Sequence, residues 1–134
     1  MIIEHVAFQH PDPVAAAAWY AAQFGMTVAR ASSGPAQARF LADCRGRTVL
    51  ELYNNPAAAM PDYPNLNPLV LHVAFLAKEI HSDFDRLVAA GATPVDAPAT
   101  TPSGDTLAML RDPWGVPVQL AQRAAPLVKA AAAQ

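Results

Sequence analysis

Four side chains stand where types and spacing together suggest chemistry. His5 and His72 open two copies of the tetrapeptide His-Val-Ala-Phe, 67 residues apart in a chain of 134. Glu51 follows His5 by 46 residues, and Gln119 follows His72 by 47. Imidazole nitrogens, a carboxylate and an amide oxygen are donors that divalent cations accept. A single histidine facing a core is ordinarily a hydrogen-bonded structural residue. Two histidines at matched places in a duplicated unit, with a carboxylate on the same face, instead suggest a metal site.

The elements that must position these residues follow from the residue pattern. Residues 2–9 form a strand stopped by His10 and Pro11, and residues 69–76 form its counterpart. Side chains alternate along a strand, so Ile3, His5 and Ala7 share one face while Val6 and Phe8 share the other. Likewise Val70, His72 and Ala74 oppose Leu71, Val73 and Phe75. The closing strands, residues 47–54 and 116–123, set Val49, Glu51 and Tyr53 against Leu50 and Leu52. In the second of them Pro117, Gln119 and Ala121 stand against Val118 and Leu120. The bulky aliphatic faces suit packing on helices, which leaves His5, Glu51, His72 and Gln119 on the other side. Their neighbours Ala7, Ala74 and Ala121 are small and leave room for a ligand.

Between these strands the two halves keep step. Asp12 is an N-cap with Pro13 in the first turn, and the helix closes at Gly25. The second helix is expected over residues 80–90, with Phe84, Leu87 and Val88 on one face, and Gly91 follows it. Strands are expected at residues 26–31 and 36–42 in the first half, and at 92–96 and 105–110 in the second. An Asp-x-x-Gly turn precedes each closing strand, at Asp43 to Gly46 and Asp112 to Gly115. The chain is then one domain with module one at 1–54, a linker at 55–68 carrying four prolines and three asparagines, module two at 69–123, and an alanine-rich tail at 124–134. That tail suits a frayed helix or a dimer contact.

Composition bounds the remaining possibilities. A hydrophobic fraction of 53% is enough for a real core. A net charge of −2 without a Lys/Arg cluster argues against nucleic-acid and membrane-surface partners. No apolar run approaches the roughly 20 residues of a membrane span, and a strand rather than a signal segment opens the chain, so a cytoplasmic protein is expected. The one cysteine, Cys44, excludes an internal disulfide and a thiolate cluster. His10, in a loop, and His81, near a helix start, suit solvated or capping roles.

Taken together, the segments Glu4-His5-Val6-Ala7-Phe8 with Asp12, Leu50-Glu51-Leu52-Tyr53-Asn54-Asn55, Leu71-His72-Val73-Ala74, and Arg111-Asp112-Pro113-Trp114-Gly115 leading to Gln119-Leu120 resemble the vicinal oxygen chelate superfamily. That superfamily includes glyoxalase I, methylmalonyl-CoA epimerase, extradiol dioxygenases and the fosfomycin and bleomycin resistance proteins. The resemblance spans residues 2–123 and is specific to the superfamily, not to one enzyme. It implies an α+β fold of two tandem βαβββ modules forming a cup-shaped, mostly antiparallel sheet with helices on its outer face. It further implies a divalent ion (Zn, Ni, Co, Mn or Fe) held by His5, Glu51, His72 and Gln119, a small-molecule substrate, and a homodimer in which the site lies within one chain or is shared by two. Tyr53, Asn55 and Trp114 fall where substrate contacts are expected. Gln119 departs from the glutamate usual at its place, and it also suits a hydrogen bond to substrate or to a neighbouring strand. Read with the modules exchanged, the epimerase set of His, Gln, His and Glu is the same four donors.

The donor set has chemical consequences. Two imidazoles, one carboxylate and one amide leave a divalent ion with net positive charge, suited to an anionic, bidentate oxygen substrate. Glu51 is the only carboxylate on that face, hence the candidate base for moving a proton next to a carbonyl through a metal-stabilised enediolate. A glyoxalase-type lyase or isomerase follows. Against strict glyoxalase I stands Gln9, where that enzyme is expected to offer arginine to the glutathione carboxylate. Two further classes stay open: a small-molecule binding or resistance protein of bleomycin-resistance type, and a non-haem iron ring-cleaving dioxygenase using two histidines and a glutamate.

Overall fold

The computed structural model describes residues 1–47 and 49–128. Thr48 and the part of the alanine-rich tail at 129–134 lie outside the described residues. The fold is α+β and built from two repeated modules, which separate into two compact units at Asp62 and Tyr63. The expected linker is thus divided between the units. Among the described residues no helix is long and apolar enough to cross a membrane.

The first unit runs β1 (Val6–Gln9), α1 (Pro13–Phe24), β2 (Thr27–Ala31), β3 (Arg39–Ala42) and β4 (Val49–Tyr53). Its sheet has the order β1-β4-β3-β2, so first and last strands lie side by side and parallel, and the other pairs are antiparallel. Asp12 caps α1 by accepting the Ala15 N–H at 3.0 Å. Gly25 closes the helix in the left-handed region at φ 65°, where an L side chain is disfavoured. Alanines 16 and 17 bring the helix close to the sheet, and Tyr20 is buried with Leu41, Leu50 and Leu52. Trp19 and Phe24 stack edgewise at 5.6 Å.

The second unit repeats the order with β5 (Val73–Leu76), α2 (Ile80–Ala89), β6 (Thr93–Thr100), β7 (Thr106–Arg111) and β8 (Pro117–Gln122). Its sheet order, β5-β8-β7-β6, again sets first and last strands parallel. Its core contains Ile80, Leu87, Leu110, Val118 and Leu120. Of the helix face expected at Phe84, Leu87 and Val88, only Leu87 is fully buried, and Ile80 supplies the other anchor. No side chain of α2 caps its own start. The Ile80 N–H donates instead to Gln122 Oε1 at 3.0 Å, a contact supplied 42 residues away.

Several strand boundaries differ from the pattern in the sequence, and β3 begins at Arg39 rather than at residue 36. The first strands were expected over 2–9 and 69–76, yet they begin at Val6 and Val73. The parallel registers open at Val6 with Leu50 and at Val73 with Val118, and the residues ahead of them stand outside the ladders. Ile2 and Ile3 are consequently exposed, as are Leu69 and Val70. His5 and His72 each stand one residue before their strand. β6 is longer than expected, eight residues rather than five, because β7 pairs along it to Thr100.

The Asp-x-x-Gly turns are wired alike. Asp43 Oδ1 accepts the N–H groups of Arg45 and Arg47, and its carbonyl accepts that of Gly46. Asp112 Oδ1 accepts those of Trp114 and Val116, and its carbonyl that of Gly115. The second turn also carries a strap. A 3-10 turn at Tyr63–Asn65 buries Tyr63, and the Arg111 guanidinium donates to the carbonyls of Tyr63 at 2.6 Å, Leu66 at 2.9 Å and Gly115 at 3.2 Å. A Cβ on Gly115 would stand 2.7 Å from Pro64 Cγ and 2.9 Å from the Pro64 nitrogen, and φ there is +93°. Gly115→Ala should therefore cost about 2 kcal/mol by combining left-handed strain with displacement of the strap. Denaturant unfolding of both proteins checks this, and an unchanged midpoint would show that the strap yields freely.

Candidate functional site

The parallel pairing of β1 with β4 builds the first half of the site. Its register sets Ala7 opposite Glu51, and Glu51 is opposite Phe40 on β3. Directly paired residues project to the same face, so Ala7, Glu51 and Phe40 form a row. His5 joins it from the segment entering β1. Its Nε2 lies 3.3 Å from Glu51 Oε2, and its ring meets Phe40 edge-on with centroids 5.6 Å apart. The structure thus brings together two residues separated by 46 positions in sequence. The side chain of Glu51 keeps 20% of its exposure and that of His5 36%, so both are reachable.

The second unit repeats the row with different chemistry. Ala74 is opposite Gln119, and Gln119 opposite Met109 on β7. Gln119 is half-buried and its side chain makes no hydrogen bond among the described residues. His72 Nδ1 lies 2.8 Å from the Pro68 carbonyl oxygen. A carbonyl only accepts, so the proton sits on Nδ1 and the lone pair on Nε2 is free to bind. An outer carbonyl that fixes the tautomer in this way is the usual support of a metal-ligating histidine.

Does the donor chemistry fit a divalent ion? Ligands held at about 2.0–2.2 Å from one ion, near the tetrahedral angle, lie roughly 3.3–3.5 Å from each other. The His5–Glu51 separation of 3.3 Å falls in that range and is longer than a charge-assisted hydrogen bond of roughly 2.7–2.9 Å. Both rings point an Nε2 away from an anchored Nδ1, since His5 Nδ1 is held by the Glu4 carboxylate. The residues fit. Each unit contributes two of the four expected positions, and among the described residues no group of three or more His, Cys, Asp or Glu is assembled that could hold a metal ion.

The remaining candidates are placed as follows. Tyr53 ends β4 half-buried, and its carbonyl accepts the His10 N–H at 2.7 Å. Asn55 begins the loop beyond it, and its Oδ1 accepts the Ala57 N–H at 3.0 Å. Trp114 is half-buried in the Asp112 turn, and Cys44 is exposed in the matching one. His10 is not solvated: it is fully buried, with Nδ1 accepting the Asp12 N–H at 3.1 Å ahead of α1. His81 is exposed on α2.

Gln9, which stands where glyoxalase I is expected to offer an arginine, has a structural role that the sequence pattern does not display. Its buried amide donates to the carbonyls of Asn55 at 2.7 Å and Ala58 at 2.8 Å and accepts the Asn55 N–H at 2.7 Å, so it fixes the loop that follows the Glu51 strand. Phe40 lies in a strand, Arg39-Phe40-Leu41-Ala42, without polar/apolar alternation, and its place opposite Glu51 comes from strand register.

The sequence matches the model of the Glyoxalase/Bleomycin resistance protein/Dioxygenase superfamily over residues 2–120. Comparison with curated proteins gives no match. Among solved structures, a glyoxalase family protein from Bacillus cereus superposes with TM-score 0.76 at 16% identity, covering 91% of this chain and 93% of that one. A glyoxalase/bleomycin resistance protein/dioxygenase family enzyme from Burkholderia phytofirmans PsJN gives 0.74 at 19%, covering 91% and 98%. The V278E mutant of glyoxalase I from Zea mays gives 0.73 at 21%, and there 92% of this chain spans 45% of the other. At these identities the likeness is one of fold.

The Glu4 carboxylate bonded to His5 raises the imidazole pKa above its ordinary value, an effect that desolvation opposes and the charges of Glu4 and Glu51 reinforce. The linked stabilisation is therefore full below the ordinary histidine pKa and is lost as pH rises through the raised one. In an NMR titration the His5 ring should titrate above an unperturbed histidine, and Glu4→Gln should lower its midpoint. Equal midpoints in the two proteins would remove Glu4 as the cause.

Proposed function

Since the chain belongs to the Glyoxalase/Bleomycin resistance protein/Dioxygenase superfamily, we propose that it is a divalent-metal-dependent lyase or isomerase of glyoxalase type, acting on a small carbonyl or oxyanion substrate. The observation that carries this is the His5 Nε2 to Glu51 Oε2 separation of 3.3 Å, the spacing of two donors on one ion. His5 and Glu51 from the first unit, with His72 and Gln119 from the second, are the residues that would hold it. Two donors per unit fall short of the four that such an ion takes, so both kinds of unit are needed, whether from one chain or from the two copies of a homodimer. A bound divalent ion supplies Lewis acidity toward a carbonyl oxygen and the charge that develops beside it.

The protein's own groups supply positioning and proton transfer. Glu51 is the base: with Oε2 toward His5, Oε1 takes a proton from the carbon adjacent to the substrate carbonyl. The C–H bond breaks, an O–H bond forms on the carboxyl, and the electron pair moves to the carbonyl oxygen. On a 2-hydroxy carbonyl compound, delivery of that proton to the former carbonyl carbon, with the hydroxyl proton passing to the oxygen there as the new C=O forms, completes an isomerisation and restores the carboxylate. Gln119 at the matched place has no ionisable proton, so proton transfer is confined to the Glu51 side. Ala7 and Ala74 leave the space above both donors open. Phe40 and Met109 give the substrate apolar walls.

Metal analysis of the purified protein tests this. Stoichiometric or restorable zinc, nickel, cobalt or manganese is expected, with affinity lowered by about 100-fold or more in His5→Ala and in Glu51→Ala. Gln119→Glu should strengthen binding by adding a charged oxygen donor. A parent protein that neither holds nor regains metal overturns the enzyme and favours ligand sequestration of the bleomycin-resistance kind. Iron with oxygen dependence would instead indicate ring cleavage.

A further inference from the structure

Each module carries a β-bulge at the same place in its second strand, and both bulges deliver a charged residue to the face of the site. In the first unit Val28 pairs with Leu41, but the next register partner of Phe40 is Arg30, not Ala29. In the second, Pro94 pairs with Leu110, and the partner of Met109 is Asp96, not Val95. Without the extra residue, strict alternation would turn Arg30 to the face of Leu41, which is fully buried. With it, Arg30 joins the row that continues through Phe40 to Glu51. Re-aiming a side chain beside a functional site is a recurrent use of bulges.

We propose that Arg30 binds an anionic tail, a carboxylate or phosphate, on a substrate whose vicinal oxygens lie at His5 and Glu51; this rests on the metal-dependent reading above. Arg30 is exposed and its side chain makes no hydrogen bond or ion pair among the described residues, unlike Arg39, whose Nη1 is spent on the carbonyls of Ser32, Gln37 and Ala38. Paired positions on adjacent strands have Cβ atoms about 5 Å apart, so Arg30 stands two steps, roughly 10 Å, from Glu51 at the backbone. An extended arginine reaches back over much of that distance. The span suits a tail a few bonds from the reacting carbonyl, lying across the Phe40 ring. A guanidinium offers the paired donors that carboxylate and phosphate accept. The matched residue of the second module is Asp96, of opposite charge, so the tail is recognised on the Glu51 side only.

Matched probes test this. 2-Oxoglutarate and phosphonopyruvate carry a 2-oxo acid head with a carboxylate or phosphonate tail, and 2-oxopentanoate and 2-oxobutanoate are their tail-less counterparts. Binding is measured calorimetrically with zinc-loaded and metal-free protein, and metal content is assayed separately. A preference for one or both tailed probes of about tenfold or more is expected. It should fall to within about twofold in Arg30→Gln, survive in part in Arg30→Lys and be unchanged in Arg45→Gln, which removes the same charge from a turn outside the row. An absence of tail preference in the parent, its persistence in Arg30→Gln, an equal loss in Arg45→Gln, or no binding of any probe overturns the proposal. A preference that depends on Arg30 in protein that takes up no metal sustains it while overturning the metal reading.

Discussion

Parallel pairing of the first and last strand within each unit is the constraint on which the rest depends. An antiparallel neighbour can be reached through a tight turn, but a parallel one demands a long crossover. Here the crossover contains a helix and two further strands, which is why β4 adjoins β1 only after 39 residues of intervening chain. The same pairing fixes which residues face each other. It sets Ala7 beside Glu51 and so leaves His5, just ahead of the strand, within 3.3 Å of that carboxylate. A shift of one residue in this register would turn Glu51 toward the helix, into the space of Leu50 and Leu52.

Much of this was legible in the residues. The doubled His-Val-Ala-Phe announced the repeat, Asp12, Pro13 and Gly25 bounded the first helix, and alternation along Leu50-Glu51-Leu52 separated core from site. What escaped depended on partners distant in sequence. Strand starts at Val6 and Val73 belong to the pairing with β4 and β8, which no local pattern records. Gln9 reads as an ordinary polar strand residue until the loop at residues 55–58 is seen to close on its amide. His10 looks like a loop histidine because its burial comes from tertiary packing. The bulges in β2 and β6 hide for the same reason: a bulge is a relation between two strands, and one strand alone cannot display it.

The two modules share a frame and differ in what they mount on it. In the repeat Glu51 corresponds to Gln119, Phe40 to Met109 and Arg30 to Asp96, while both histidines and both alanines are retained. The changed residues differ in charge, ionisability and side-chain shape.

The aspartate turns extend this point to the loops. In each, one carboxylate oxygen gathers the N–H groups two and four residues on, and the residue immediately after the aspartate donates nothing to it. That is how Cys44-Arg45 and Pro113-Trp114 occupy equivalent places in the same loop, proline included, although proline has no N–H to give. In both turns the aspartate carboxylate makes the same two backbone contacts whichever two residues follow it. The turn is in effect a socket: its contents can be exchanged while its shape is kept, so a fold of this kind can acquire a thiol, a cation or an indole at that rim without redesign of the strands beneath.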